Sequence, residues 1–222
     1  MRGLFVTGTG TGVGKTVVSA ALLAAMKAAG ESVGAYKPVV TGLAEPPGEW
    51  PHDHEVLALA AGMSPEEIAP VRFDPPVSPH LASAMLRRHV EPADLIAGAR
   101  SHSADILVVE GVGGLLVPLT DDFSVRDLAV ELGLLLVIAS SPELGTINHT
   151  LLTIEAARAV GLDVATVVLT PWPDAPSEME LSNSETIARL GAVAVATLGE
   201  ISTANIAELA SAGERLPWRD WL

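Results

Sequence analysis

The chain has 222 residues, 49% of them apolar and 18% charged, and carries a formal charge of −14 from thirteen basic and twenty-seven acidic side chains. That composition excludes a disordered chain, and its negative field opposes the phosphate neutralisation on which duplex nucleic-acid binding depends, so nucleic acid is not an expected partner. The absence of cysteine excludes disulfides, thiolate catalysis and cysteine-ligated metals.

A length of this order commonly forms one α/β domain that buries roughly 70% of its unfolded surface, so one domain over residues 1–222 is expected. The longest apolar run, LGLLLVIA (Leu132 to Ala139), falls short of the ~18–20 residues of a bilayer span, and no membrane role is expected. Met1-Arg2 leads straight into a strand-like run without an apolar leader core, which predicts a cytoplasmic protein.

The first predicted strand is Leu4–Thr7, followed by GTGTGVGKT (Gly8 to Thr16) and a helix over Thr16–Ala29 that stops at Gly30. Strand, glycine-rich turn, Gly-Lys-Thr and helix make the layout of a phosphate-binding P-loop. Backbone N–H groups of Gly12, Val13, Gly14 and Lys15 can face an anion together, with the helix dipole behind them. Lys15 would reach the β/γ-phosphates, and Thr16 would offer its hydroxyl to Mg²⁺. The strict motif is offset by one position: Thr9 stands where its first glycine belongs.

A second strand, Val33–Tyr36, delivers Lys37 and Pro38 to the same sheet edge. The chain has only three lysines, Lys15, Lys27 and Lys37, so a second cation near the loop is expected to stabilise charge developing in phosphoryl transfer; the competing reading is an ordinary surface lysine. The Pro/Gly-rich stretch Leu43–His52 reads as a loop, and Asp53–Ala61 as a helix ending at Gly62. Asp53 suits an N-cap, a use compatible with binding Mg²⁺. His52 and His54 make a poor chelate without further ligands and are expected to face solvent. FDPPVSPH, Phe73–His80, reads as a second loop.

Pro92–Ala104 is predicted helical, Ile106–Val109 a strand, and Glu110 just beyond it stands where a Walker-B acid would hold a metal. The glycines of GVGG, Gly111 to Gly114, allow close backbone approach to a ligand. A helix over Val125–Leu132 after Ser124, a strand over Leu134–Ala139, a helix over Thr146–Val160, a strand over Val164–Leu169, a loop over Thr170–Pro176 and a strand over Val193–Thr197 complete the pattern. Trp218 and Trp221 in the tail are expected to be packing anchors. Near-continuous apolar strands alternating with helices predict an α/β fold, a mostly parallel sheet with helices on both faces, P-loop NTPase-like, with ligands beyond the carboxyl ends of the strands.

With these residues in place, the chain resembles the dethiobiotin synthetase family over almost its full length, through FVTGTGTGVGKT, YKPVVTG, VSPH, VVEGVGG, LGTINHT and LGEI. The resemblance implies ATP- and Mg²⁺-dependent carboxylation and ring closure of 7,8-diaminopelargonic acid with CO₂ in biotin biosynthesis. It passes through a carbamate and a carbamic-phosphoric anhydride and needs no protein nucleophile. It also implies a homodimer with the substrate site at the subunit interface. By motif, Gly12 to Val17 hold the triphosphate; Thr16, Asp53 and Glu110 bind Mg²⁺; and Lys15 and Lys37 are catalytic. Gly111, Val112, Gly113, Thr170, Pro171, Thr197 and Leu198 complete the nucleotide site, Thr41 and the Gly111–Gly114 loop line the substrate site, and Gly145, Thr146, Ile147 and Asn148 bind substrate. The backbone donors of residues 145–148 would take the substrate carboxylate across the interface. Read without the resemblance, this stretch is only a helix start, and His149 a helix-surface residue.

Two departures from the family pattern carry consequences. Gly10 and Gly12 replace side chains found in many relatives, and Thr170-Pro171-Trp172 stands where many relatives have Asn-Asp. The second removes an amide able to pair with adenine and predicts relaxed base specificity. Competing readings are a partition-type ATPase, whose extra loop lysine would occupy the position of Gly10, and a related amidoligase or small-molecule kinase.

Overall fold

The computed structural model describes residues 2–48 and 50–222. In chain order its elements are β1 (Gly3–Gly8), α1 (Lys15–Ala28), β2 (Val33–Tyr36), β3 (Val39–Val40), α2 (Asp53–Ala61), α3 (Pro65–Ile68), β4 (Val71–Arg72), α4 (Pro79–Leu86), α5 (Pro92–Arg100), β5 (Ile106–Glu110), α6 (Val125–Leu132), β6 (Leu135–Ser140), α7 (Thr146–Arg158), β7 (Val164–Trp172), α8 (Glu178–Gly191), β8 (Val195–Gly199), α9 (Ile206–Gly213) and a 3₁₀ turn at Trp218–Trp221.

Six strands form a parallel sheet in the order β2-β5-β1-β6-β7-β8, and β3 and β4 pair separately. The near-continuous apolar strands are buried on both faces, which is why they lack a polar/apolar alternation. On one face α1, α2, α9 and the terminal tryptophans pack against Leu4, Val6 and Val137. On the other, α5, α6, α7 and α8 pack against Phe5, Leu136 and Ile138. The chain runs out from β1 to the β2 edge, returns through β5 and crosses to β6, so β1 lies at the reversal of strand order where an open sheet gathers ligands.

Several boundaries differ from the sequence expectation. The helix predicted to reach Ala104 stops at Arg100, capped through Ser101. The loop expected over Thr170–Pro176 is strand as far as Trp172: Pro171 is accommodated at a register irregularity against β8 between Leu169 and Trp172, where a missing N–H is tolerated. The loop over Phe73–His80 gives way to α4 at Pro79. Asp53 is the first residue of α2 rather than its N-cap, which is His52. Trp218 and Trp221 lie in the core.

Candidate active site

The register of the sheet assembles the site. Tyr36 lies opposite Val109 and Val6 opposite Glu110, so Lys37, one residue beyond β2, arrives level with the last residue of β5. Side chains alternate across a strand. Tyr36 turns to the α5 face, where its hydroxyl donates to the Leu95 carbonyl at 3.0 Å, and Lys37 turns to the opposite face, where α2 begins.

There the Lys37 ammonium donates to Glu110 Oε1 at 2.5 Å and pairs with Asp53 Oδ2 at 2.8 Å. Lys37 and Glu110 are 2% and 0% exposed, and Asp53 is 49% exposed at the rim of the cleft. Burial alone would lower the Lys37 pKa, but the carboxylates of Glu110 and Asp53 outweigh it and hold the ammonium above its ordinary value. The same ammonium, assisted by the Thr16 hydroxyl, pulls Asp53 down to about 2. Lys37 is thus a buried cation, and the surface reading does not hold.

The glycine loop curls as a strand-to-helix turn must. Gly12 and Gly14 take left-handed backbone angles, φ 75° and 88°, and a Cβ on Gly14 would stand 2.4 Å from Thr170 Cγ2. Thr170 therefore braces the loop from β7, with its methyl under the residue that caps α1. Lys15 folds over the loop, its ammonium donating to the Gly10 carbonyl at 2.8 Å. Burial lowers its pKa, partly offset by Glu110.

The residues expected to hold Mg²⁺ do come together. The Thr16 hydroxyl donates to Glu110 Oε1 at 2.9 Å, while Glu110 Oε2 is buried without a partner. An orphaned carboxylate oxygen beside a hydroxyl and a second carboxylate fits a hard divalent cation. Among the described residues no three His, Asp or Glu side chains converge on one point. Such a set leaves coordination positions for phosphate and water, as Mg²⁺ prefers.

A cleft of about 830 Å³ is lined by Gly12, Gly14, Lys15, Thr16, Val17, Lys37, Thr41, Asp53, Val112 and Gly113. Val13 packs on the core beneath the loop, and Gly111 is buried with its N–H on the Val6 carbonyl at 2.9 Å. Thr197 and Leu198 line a second cavity of about 760 Å³ with Trp172 and Arg215. Pro171 is exposed. Gly145, Thr146, Ile147 and Asn148 open α7 and line neither cavity; Asn148 and His149 are exposed. His54, expected at the surface, is buried at 5% exposure with Nδ1 unpartnered, because α2 turns it inward; burial lowers its pKa. His80 sits in α4, its Nδ1 3.0 Å from the Ser78 hydroxyl. Two features escaped sequence reasoning: the inward face of Thr170, and the buried hydroxyl of Ser140 at the end of β6.

The parallel sheet, the glycine loop at its reversal point and the Lys-Thr start of α1 define a P-loop NTPase-like protein. A family model described as an AAA domain matches residues 2–205. The signal recognition particle receptor FtsY of Elizabethkingia anophelis shares the fold at a TM-score of 0.52 and 13% identity, over 97% of this chain and 64% of that one. The ATP-dependent dethiobiotin synthetase of Anaeromyxobacter sp. (strain Fw109-5) is 41% identical over 87% of this chain and 91% of its own. That of Bacillus subtilis subsp. natto is 37% identical over 88% and 85%. The chain belongs to the ATP-dependent dethiobiotin synthetase family.

Proposed function

We propose that this chain is an ATP- and Mg²⁺-dependent dethiobiotin synthetase that closes the ureido ring of dethiobiotin from 7,8-diaminopelargonic acid and CO₂. The observation that carries the reading is the buried Lys37 ammonium at the mouth of a P-loop, held by the two carboxylates expected to bind the metal. One substrate amine adds to CO₂ and loses a proton, giving a carbamate. A carbamate oxygen takes the γ-phosphoryl group and ADP leaves. The neighbouring amine then attacks the carbonyl carbon, expels phosphate, releases its proton and closes the ring.

Lys15 and the N–H groups of Gly12 to Val17 hold the triphosphate. Lys37 would lie between phosphate and carbamate and neutralise charge on the oxygens exchanged between them. Thr16, Asp53 and Glu110 would hold Mg²⁺, which supplies charge neutralisation at the phosphate oxygens when bound. Thr41 and the Val112-Gly113 turn line the acceptor side of the cleft, and the base lies towards Thr197 and Leu198.

The active form in this reading is a homodimer of single-domain subunits, working in the cytoplasm. Residues 145–148 lie outside both cavities of their own chain, while Leu144 beside them is 87% exposed and Leu152 56%. Both features support donation of the α7 start to a partner's substrate. No described helix is long and apolar enough to cross a membrane.

The test is mass-spectrometric detection of dethiobiotin from purified protein with the diamine, bicarbonate, Mg²⁺ and ATP. The expected product depends on all four additions. Nucleotide hydrolysis indifferent to diamine and bicarbonate would replace this reading with a switch ATPase.

A further inference from the structure

The P-loop is fastened to the start of α7 by a chain of hydroxyl groups, half-buried at Thr9 and fully buried from Ser140 inward. Thr9 donates its backbone N–H to the Ala139 carbonyl at 3.1 Å, and its hydroxyl lies 3.2 Å from that of Ser140, the last residue of β6. The Ser140 hydroxyl lies 2.9 Å from Thr146 Oγ1 and 3.0 Å from Thr150 Oγ1, in the first two turns of α7. The two threonine hydroxyls are themselves 3.5 Å apart. Ser140 and Thr150 are 1% and 0% exposed.

A hydroxyl donates once and accepts twice, so three partners saturate Ser140. The arrangement is directional. A rotation of α7 would strand hydroxyls away from water, and an unpaired buried hydroxyl costs more than its pairing contributes. Apolar packing at the same place would set a distance but would tolerate such a rotation.

We propose that Ser140 and Thr150 are positioning residues of this site. Through the hydroxyl cluster they hold the phosphate-binding loop and the first turn of α7 in one relative placement, so that each ligand site depends on hydroxyls borne by the other. The proposal rests on the assignment, made above, of that turn to the substrate carboxylate.

The test uses near-isosteric changes in the full-length protein: Thr150→Val and Thr9→Val remove a hydroxyl, Thr150→Ser keeps it, and Ser140→Ala removes the hub. Calorimetric titration with a non-hydrolysable ATP analogue gives nucleotide affinity without diamine. Steady-state kinetics give KM for the diamine and kcat, and thermal melts report folding. Thr150→Val, which alters a helix outside the nucleotide cleft, is expected to weaken nucleotide binding severalfold, up to about tenfold, the net scale of one buried hydrogen bond, since Ser140 keeps Thr9 and Thr146 as partners. Thr9→Val is expected to raise the diamine KM by a similar factor, and by more than it lowers kcat. Ser140→Ala should do both, and Thr150→Ser should match the parent.

Unchanged nucleotide affinity in Thr150→Val together with unchanged diamine KM in Thr9→Val, even if both melt earlier, would overturn the proposal in favour of a purely structural cluster. Equal loss in Thr150→Ser and Thr150→Val would overturn it too, since the hydroxyl would then be irrelevant. If the valine variants do not fold, Ser140→Ala against Thr150→Ser decides by the same readouts. A parent protein that binds nucleotide but forms no dethiobiotin would remove the proposed function, and the analogue titrations would still decide whether the α7 hydroxyl sets the P-loop.

Discussion

Lys37 Nζ lies 2.5 Å from Oε1 of Glu110, and neither side chain is open to solvent. Removing one partner of such a pair leaves a buried charge without compensation, an effect on the order of 3–5 kcal/mol. Lys37→Gln is therefore expected to lower stability in urea unfolding as well as to lower single-turnover rate by roughly a thousandfold. The double variant Lys37→Gln, Glu110→Gln separates the two effects: it should regain most of the stability and none of the rate. A rate near the parent's in Lys37→Gln would take the ammonium out of the chemistry.

Asp53 titrates at about 2 against an ordinary value of 3.8, chiefly because the Lys37 ammonium stabilises its ionised form. A group whose folded value is depressed favours folding while ionised. Its contribution is complete above pH 3.8 and is lost as pH falls through about 2. Because Asp53 is half-exposed, the contribution is small after solvent screening. Asp53→Asn should flatten the decline of Tm across that window and leave the neutral region little changed. Parallel Tm curves for the two proteins would show that the Lys37 pairing does not support the fold.

The strands of the sheet were legible because each is a short apolar run between turn residues, and the P-loop because its chemistry is local. Lys37 was placed at the correct sheet edge by periodicity, but its depth depends on the β2–β5 register, which no local pattern encodes. Helix α8 carries a cap signal, Ser177 with Glu180 three residues on, whose polar face masked the helical period. Burial of His54 follows from how α2 docks. The strand continuation over Thr170–Trp172 was hidden by a proline that only a register irregularity can accommodate. Ser140 was invisible because a lone serine at a strand end acquires meaning only from the threonines that α7 brings to it.

Gly14 and Thr170 are in steric competition. Gly14→Ala would introduce a Cβ 2.4 Å from Thr170 Cγ2 at a left-handed backbone position, two separate penalties. Nucleotide affinity is expected to fall by more than about tenfold, and Thr170→Ser in the same chain, by deleting that methyl, should recover part of it. The remainder is backbone strain. Titration with nucleotide checks this; no recovery in the double variant would mean that the loop is set by its own dihedral preferences alone.

The inward turn of Thr170 bears on base choice. Thr170 has its methyl against Gly14 and Pro171 lacks an N–H, so neither residue offers a side-chain amide to an adenine edge. Trp172, half-buried, lines the second cavity, and an indole that stacks on the base there would accept any base. CTP and GTP are therefore expected to support dethiobiotin formation within about tenfold of ATP, and Trp172→Ala to raise KM for all three by similar factors, on the order of the 1–3 kcal/mol that a stacked base contributes. Initial rates with each triphosphate decide the matter. A preference for ATP beyond about a hundredfold would mean that backbone groups near Thr197 and Leu198 read the base directly, through hydrogen bonds strong enough to discriminate.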